Sequence, residues 1–163
     1  MHLSEKGEKL IKGFESCRLS AYQDSAKIWT IGWGNTSYEN GARVKQGDLL
    51  SQYRADELFK RIANKFVNDV NFLTKNTFLK QYQFDALVSF SYNVGSDIDI
   101  DNIAEGLGDS TLLKLVLANP NDHKIPAEFL KWNKSKGKVL GGLTRRRKSE
   151  AHLYSTGELN LFE

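Results

Sequence analysis

Two carboxylic acids and a hydroxyl stand near the start of the chain: Glu15, Asp24 and Thr30, nine and six residues apart. Cleaving a glycosidic bond needs a proton for the leaving oxygen. It also needs a negative group to steady the oxocarbenium-like centre or to activate water. A carboxyl at a helix end facing a second carboxylate on a nearby loop suits that task. As residue types alone, such a pair is weak evidence, because Asp and Glu are common and mostly solvated. Glu15 follows Phe14 at the end of a helical pattern, where the negative end of the helix dipole disfavours ionisation. Apolar neighbours act in the same direction and any nearby arginine opposes both, so that position alone does not set the sign of the net effect. Asp24 sits between Tyr22-Gln23 and Ser25, a polar stretch that keeps it charged. One acid kept protonated and one kept ionised is a working division of labour. Thr30 brings a hydroxyl that both donates and accepts.

The surroundings of these residues are distinctive. The runs Glu15-Ser-Cys-Arg18-Leu19-Ser-Ala-Tyr22-Gln-Asp24 and Trp29-Thr30-Ile31-Gly32-Trp33-Gly34 resemble the active-site opening of the phage-type lysozymes, the endolysin family of muramidases. Two later blocks resemble the same family in the same order. They are Gln83 to Phe90 with Asn93-Val94-Gly95, and Gly141-Gly142-Leu143-Thr144-Arg145-Arg146-Arg147 with Glu150 and Leu153-Tyr154. The resemblance implies Glu15, Asp24 and Thr30 as the catalytic set, with Thr30 holding a water for Asp24. It implies that an arginine, Arg145 or Arg146, approaches the acid and orients it. Tyr22, Gly32, Gly34 and Asn93 are the expected substrate-binding residues. Trp29 and Trp33 could also stack on sugar, although aromatics beside glycines more often serve the core. Arg147 and Lys148 are expected to be solvated bases. Asn35 departs from the family, whose members often carry histidine there.

The elements that must position these residues follow from periodicity. Leu3, Gly7, Leu10, Ile11 and Phe14 recur at helical spacing behind Ser4, a residue suited to cap, so the pattern predicts a helix over 4–15. Glycines at 32, 34, 41 and 47 and the Asn40-Gly41 dipeptide predict a β-hairpin or three-stranded sheet between 17 and 48. Ser51 opens an apolar pattern from Ala55 to Leu73, which predicts a long helix. Further helices are expected at 81–94, with Phe84, Leu87, Val88 and Val94 on its buried face, and at 110–118, 126–133 and 143–156, the last ending at Gly157. The fold class is α+β and predominantly helical. The resemblance implies a single lysozyme-like domain over 1–163, with a β-containing lobe at about 15–50, a connecting helix at 51–80 and a helical lobe of 81–163 plus 1–14.

Composition narrows the classes. The 163 residues carry a net charge of +3 and 40% hydrophobic side chains, ordinary for a globular domain. No apolar run approaches the eighteen or so residues that span a bilayer, and the charged N-terminus does not read as a signal peptide. Membrane insertion is not expected. Cys17 is the only cysteine, so no internal disulfide forms, and the three histidines lack ligand spacing. No metal or cofactor is expected. Residues 96–109 form an acidic loop with Asp97, Asp99, Asp101, Glu105 and Asp109, longer than the family's usual connection. Its first aspartates have calcium-loop spacing, but Asn102 replaces the needed glycine and Gly108 the closing glutamate, so a solvated loop is expected.

Residues 131–148 hold eight bases and no acid, with Trp132 among them. Such a cluster could meet nucleic acid, yet anionic cell wall attracts the same patch and no nucleic-acid motif accompanies it. The expected partner is therefore bacterial peptidoglycan, cut between N-acetylmuramic acid and N-acetylglucosamine by a monomer without cofactor. A lytic transglycosylase on the same substrate and a non-catalytic wall-binding module are the alternatives. Synthesis is expected in the host cytoplasm and action at the periplasm or cell wall, after release by another agent such as a holin-type factor.

Overall fold

A computed structural model describes every residue except Ser25, Ile100, Asp101, Asn102, Ala104 and Glu163. The described residues form α1 (Glu5–Phe14), β1 (Arg18–Gln23), β2 (Trp29–Gly32), α2 (Gln52–Leu73), α3 (Gln81–Val94), α4 (Thr111–Ala118), α5 (Ile125–Leu130), β3 (Lys134–Ser135), β4 (Lys138–Val139) and α6 (Gly141–Thr156). The fold is α+β with helices dominant and a small antiparallel hairpin. Two compact units divide the chain, Lys12–Lys65 and Met1–Ile11 with Phe66–Glu163.

The unit of Lys12–Lys65 is built by short-range pairing. β1 and β2 are antiparallel, with Tyr22 opposite Thr30 and Gln23 opposite Trp29. The chain then doubles back in a tight turn in which Ile31 and Asn35 exchange backbone hydrogen bonds of 2.8 and 2.9 Å. That turn requires positive φ at Gly32 (62°) and Gly34 (94°), which a residue with a Cβ adopts only at a cost. A further bridge joins Ser37 to Arg43 around Asn40-Gly41, the expected turn dipeptide. Ser51 caps α2 by accepting from the Arg54 N–H at 3.1 Å. Ile31, Val44, Ala55, Leu58 and Phe59 are buried.

In the other unit α3 is buried all round. Residues 83–91 are all buried, polar ones included, rather than a single apolar face. A helix enclosed in this way needs partners for its polar side chains, and most have them, although Ser91 Oγ is buried with none among the described residues. Gln83 donates to Pro120 O at 2.9 Å and accepts from Lys80 N at 2.9 Å. Asp85 accepts from Ser4 N at 3.0 Å and Ser4 Oγ at 2.5 Å, while Ser4 Oγ also accepts from Gly7 N and so caps α1. Phe90 meets Phe129 and Trp132 edge-on, with ring centroids 5.5 and 5.4 Å apart.

Two expectations need correcting here. The helix expected over 126–133 ends at Leu130, and a β3–β4 hairpin follows that is not among the expected elements. Its turn takes positive φ at Lys136 (48°) and Gly137 (77°), the geometry of a two-residue hairpin, but Lys-Gly is a weaker signal for it than Asn-Gly. The acidic run is also more than a solvated loop. Asp97 Oδ2 accepts from the N–H groups of Glu105 (3.0 Å), Gly106 (3.2 Å) and Asp109 (3.4 Å). A Cβ on Gly108 would fall 1.5 Å from Asp97 O, so only glycine lets the chain close this tightly. Asp101 and Asn102 of the calcium-like spacing lie outside the described residues.

Candidate active site

Glu15 is the first residue beyond α1, half-buried, its N–H bonded to Lys12 O at 3.3 Å. The Ile31–Asn35 turn passes close to its carboxyl: a Cβ on Gly34 would stand 3.6 Å from Glu15 Oε2. Glycine is favoured there by φ (94°), while a Cβ would meet the acid only at ordinary contact distance.

Asp24 stands at the end of β1, where the hairpin turns. Its Oδ1 accepts from Ala26 N at 2.8 Å and Ile28 N at 2.9 Å, an Asx-turn that fixes the carboxylate plane. Its own N–H donates to Ile28 O at 3.0 Å. Oδ2 has no hydrogen-bond partner among the described residues and is left to act. Thr30 is 4% exposed, and its hydroxyl donates to the same Ile28 carbonyl at 3.1 Å. Ile28 thus holds Asp24 and Thr30 through its two main-chain groups. With its proton engaged, Thr30 Oγ1 still has lone pairs to accept from a water.

The remaining residues expected at the site divide by what they touch. Tyr22 lies opposite Thr30 in the hairpin, half-buried, with the Arg18 guanidinium 4.3 Å from its ring centre. Gly32 is buried, and a Cβ there would stand 3.0 Å from Asn35 Oδ1, so its need for glycine is one of packing as well as φ. Asn35 is 2% exposed, accepts from Trp33 N at 3.3 Å and leaves Nδ2 buried with no partner among the described residues. Trp33 serves the core: its indole donates to Asp56 Oδ1 at 2.8 Å and its ring meets Phe59 edge-on. Lys12 also reaches Asp56, at 2.8 Å, and this ammonium, more than any other neighbour, holds the Asp56 carboxyl below its ordinary pKa.

Asn93, Arg145 and Arg146 belong to the other unit. Arg145 is exposed. Arg146 is 3% exposed, its Nε donating to Glu150 Oε1 at 3.2 Å and its Nη2 to Ser89 O at 3.3 Å. Arg147, expected to be a solvated base, is fully buried. Its Nε lies 2.8 Å from Glu150 Oε2, and its Nη2 donates to Glu150 Oε1 at 3.2 Å and to Asn93 Oδ1 at 2.9 Å. Burial pulls the Arg147 pKa down, the Glu150 charge opposes that and the Arg146 charge adds to it. Ser89 Oγ completes the cluster with a 2.8 Å bond to Glu150. The sequence signal for this network was Glu150 itself, three and four residues after the two arginines and so on their helix face. Among the described residues no group of three or more His, Cys, Asp or Glu is placed to hold a metal ion.

Comparison with known proteins gives this arrangement its context. Residues 12–150 match the family model described as phage lysozyme. An endolysin of Bacillus phage B103 is 42% identical over 97% of this chain and 56% of its own length, so the chain spans little more than half of that relative. Among solved structures, an endolysin from Escherichia coli O157:H7 phage FAHEc1 superposes with a TM-score of 0.86 at 36% identity, covering 98% of this chain and 97% of its own. The muramidase domain of SpmX from Asticaccaulis excentricus does so at 0.78 and 33%, covering 96% and 99%. The chain belongs to the phage lysozyme family.

Proposed function

We propose that this chain is a peptidoglycan muramidase, a glycoside hydrolase that cuts the β-1,4 bond between N-acetylmuramic acid and N-acetylglucosamine. The observation that carries the reading is the state of Asp24, with one oxygen pinned by two backbone N–H groups, while the Thr30 hydroxyl bonds the carbonyl of the same Ile28 that holds it. A carboxylate so held cannot rotate away, and its open oxygen is suited to polarise a water that Thr30 holds. Glu15 supplies the proton to the leaving oxygen. Tyr22, Gly34 and Asn93 contact the glycan or its substituents. The name of the muramidase domain among the structural relatives supports the substrate. The protein acts as a monomer on the wall, after synthesis in the host cytoplasm and release by a separate factor.

Mass spectrometry of fragments released from purified peptidoglycan tests this reading. Reducing muropeptides ending in N-acetylmuramic acid are the expected product. Products with a 1,6-anhydro ring would identify a lytic transglycosylase, and no release at all would leave a wall-binding module.

A further inference from the structure

The buried cluster behind α6 has one arm that reaches the surface. Glu150 is a single carboxylate facing two guanidinium groups, both nearly or fully excluded from water. The second cation needs another acceptor, and Asn93 Oδ1 provides it at 2.9 Å from Arg147 Nη2. A guanidinium only donates, so this bond fixes which end of the Asn93 amide faces inward. Nδ2, with two N–H donors, is the outward end. It has no partner among the described residues, and Asn93 is exposed near the C-terminal end of α3.

Asn93 lines a cleft of about 490 Å³ with Val94, Trp132, Lys134, Ser135 and Leu143. Trp132 is itself held by its edge-on contact with Phe90, the ring over which the Arg147 guanidinium lies at 4.9 Å. The cleft therefore offers a fixed amide donor beside an aromatic and aliphatic wall, both braced by the same buried residues. We propose that Arg147 is a positioning residue that presents the Asn93 amide to an amide carbonyl of the substrate, with Trp132 and Leu143 receiving the adjoining apolar group. This rests on the muramidase reading for the identity of the substrate. Peptidoglycan supplies amide carbonyls from two sources, the N-acetyl groups of the glycan and the peptide bonds of the stem.

The test uses binding, so that it does not depend on bond cleavage. The isotope-labelled protein is titrated with an N-acetylglucosamine oligomer in one arm and a free stem tetrapeptide in the other, observing the side-chain amide resonances of Asn93. One probe is expected to shift them and so identify the source. Asn93→Asp keeps the acceptor for Arg147 but replaces the outward donor with an acceptor. It is expected to melt no lower than the parent and to bind that probe about tenfold more weakly. Arg147→Lys keeps a charge for Glu150 but loses the fork that reaches Asn93, and it is expected to weaken binding in the same way. The double variant should be no worse than the weaker single, as for two residues acting as a unit. Asn93 resonances unmoved by either probe, parental affinity in Asn93→Asp, or fully additive losses would each overturn the proposal. If the parent binds a probe yet releases nothing from the wall, the muramidase reading fails and this one stands.

Discussion

Replacing Glu150 by glutamine should be among the most damaging single-atom changes available in this chain. Glu150 is fully buried and is the anion bonded to two buried cations, Arg146 at 3.2 Å and Arg147 at 2.8 Å. The amide keeps the shape and can still accept from Ser89 Oγ, but it removes the charge. Two guanidinium groups on adjacent residues then face each other in a water-poor interior. Breaking a buried pair by removing one partner costs about 3–5 kcal/mol. For a chain of this size each kcal/mol lowers Tm by about 2–4 °C, so a fall of roughly 6–20 °C is expected. The exposed bases Arg145 and Lys148 are the controls. Their alanine variants should stay within about 0.5 kcal/mol of the parent. Urea melts at low and high salt distinguish the cases, because salt screens exposed charges far more than buried ones. A Glu150→Gln loss below about 1 kcal/mol, or one that salt abolishes, would refute the claim that this ion cluster holds α3 and α6 together.

Three further expectations concern the other unit. Glu15→Gln should lower wall lysis by about 10²–10⁴-fold with melting unchanged, since an amide cannot deliver the proton; a third of parental activity would remove Glu15 from its role. Asp24→Asn should keep both Asx-turn bonds through the amide oxygen and yet cut the turnover rate more than substrate binding, and nuclear magnetic resonance of fresh product should find an inverted anomer if a water attacks. Asp56 is held below the ordinary carboxylate pKa by Lys12, so the stability it contributes is present above about pH 4 and is lost as pH falls through its folded value. Acid urea melts should therefore fall less steeply in Asp56→Asn than in the parent, and equal slopes would count against that pair.

What the sequence made legible follows from how far apart the partners lie. The helices over 5–14, 52–73, 81–94 and 111–118 match their expected spans within a residue or two, because apolar period and a capping serine are local signals. The turn at Asn40-Gly41 and the end of α6 at Gly157, with φ of 75°, were readable for the same reason. The β3–β4 hairpin was not, since its four paired residues are exposed and carry no alternating apolar pattern. Arg147 was misread because a run of bases is usually solvated. Which face of α6 is buried depends on α3, whose own residues 83–91 are all buried.

The same distinction separates the two halves of the chemistry. Asp24 and Thr30 are set by Ile28, four and two residues away, so a hairpin that forms at all delivers the carboxylate and hydroxyl together. Their juxtaposition is encoded in about seven residues and tolerates change elsewhere. Asn93 is held by a residue 54 positions distant, and that residue is held by Glu150, which Ser89 of α3 also bonds. Its orientation therefore exists only when α3 and α6 are packed. A loosened core should leave the Asp24 hairpin able to form while the Asn93 amide loses its direction. Mild destabilisation of α6 ought accordingly to raise KM before it lowers kcat. A partial Glu150 variant, Glu150→Asp, places this order under test: a fall in kcat with KM unchanged would mean that the two halves are not built at different ranges.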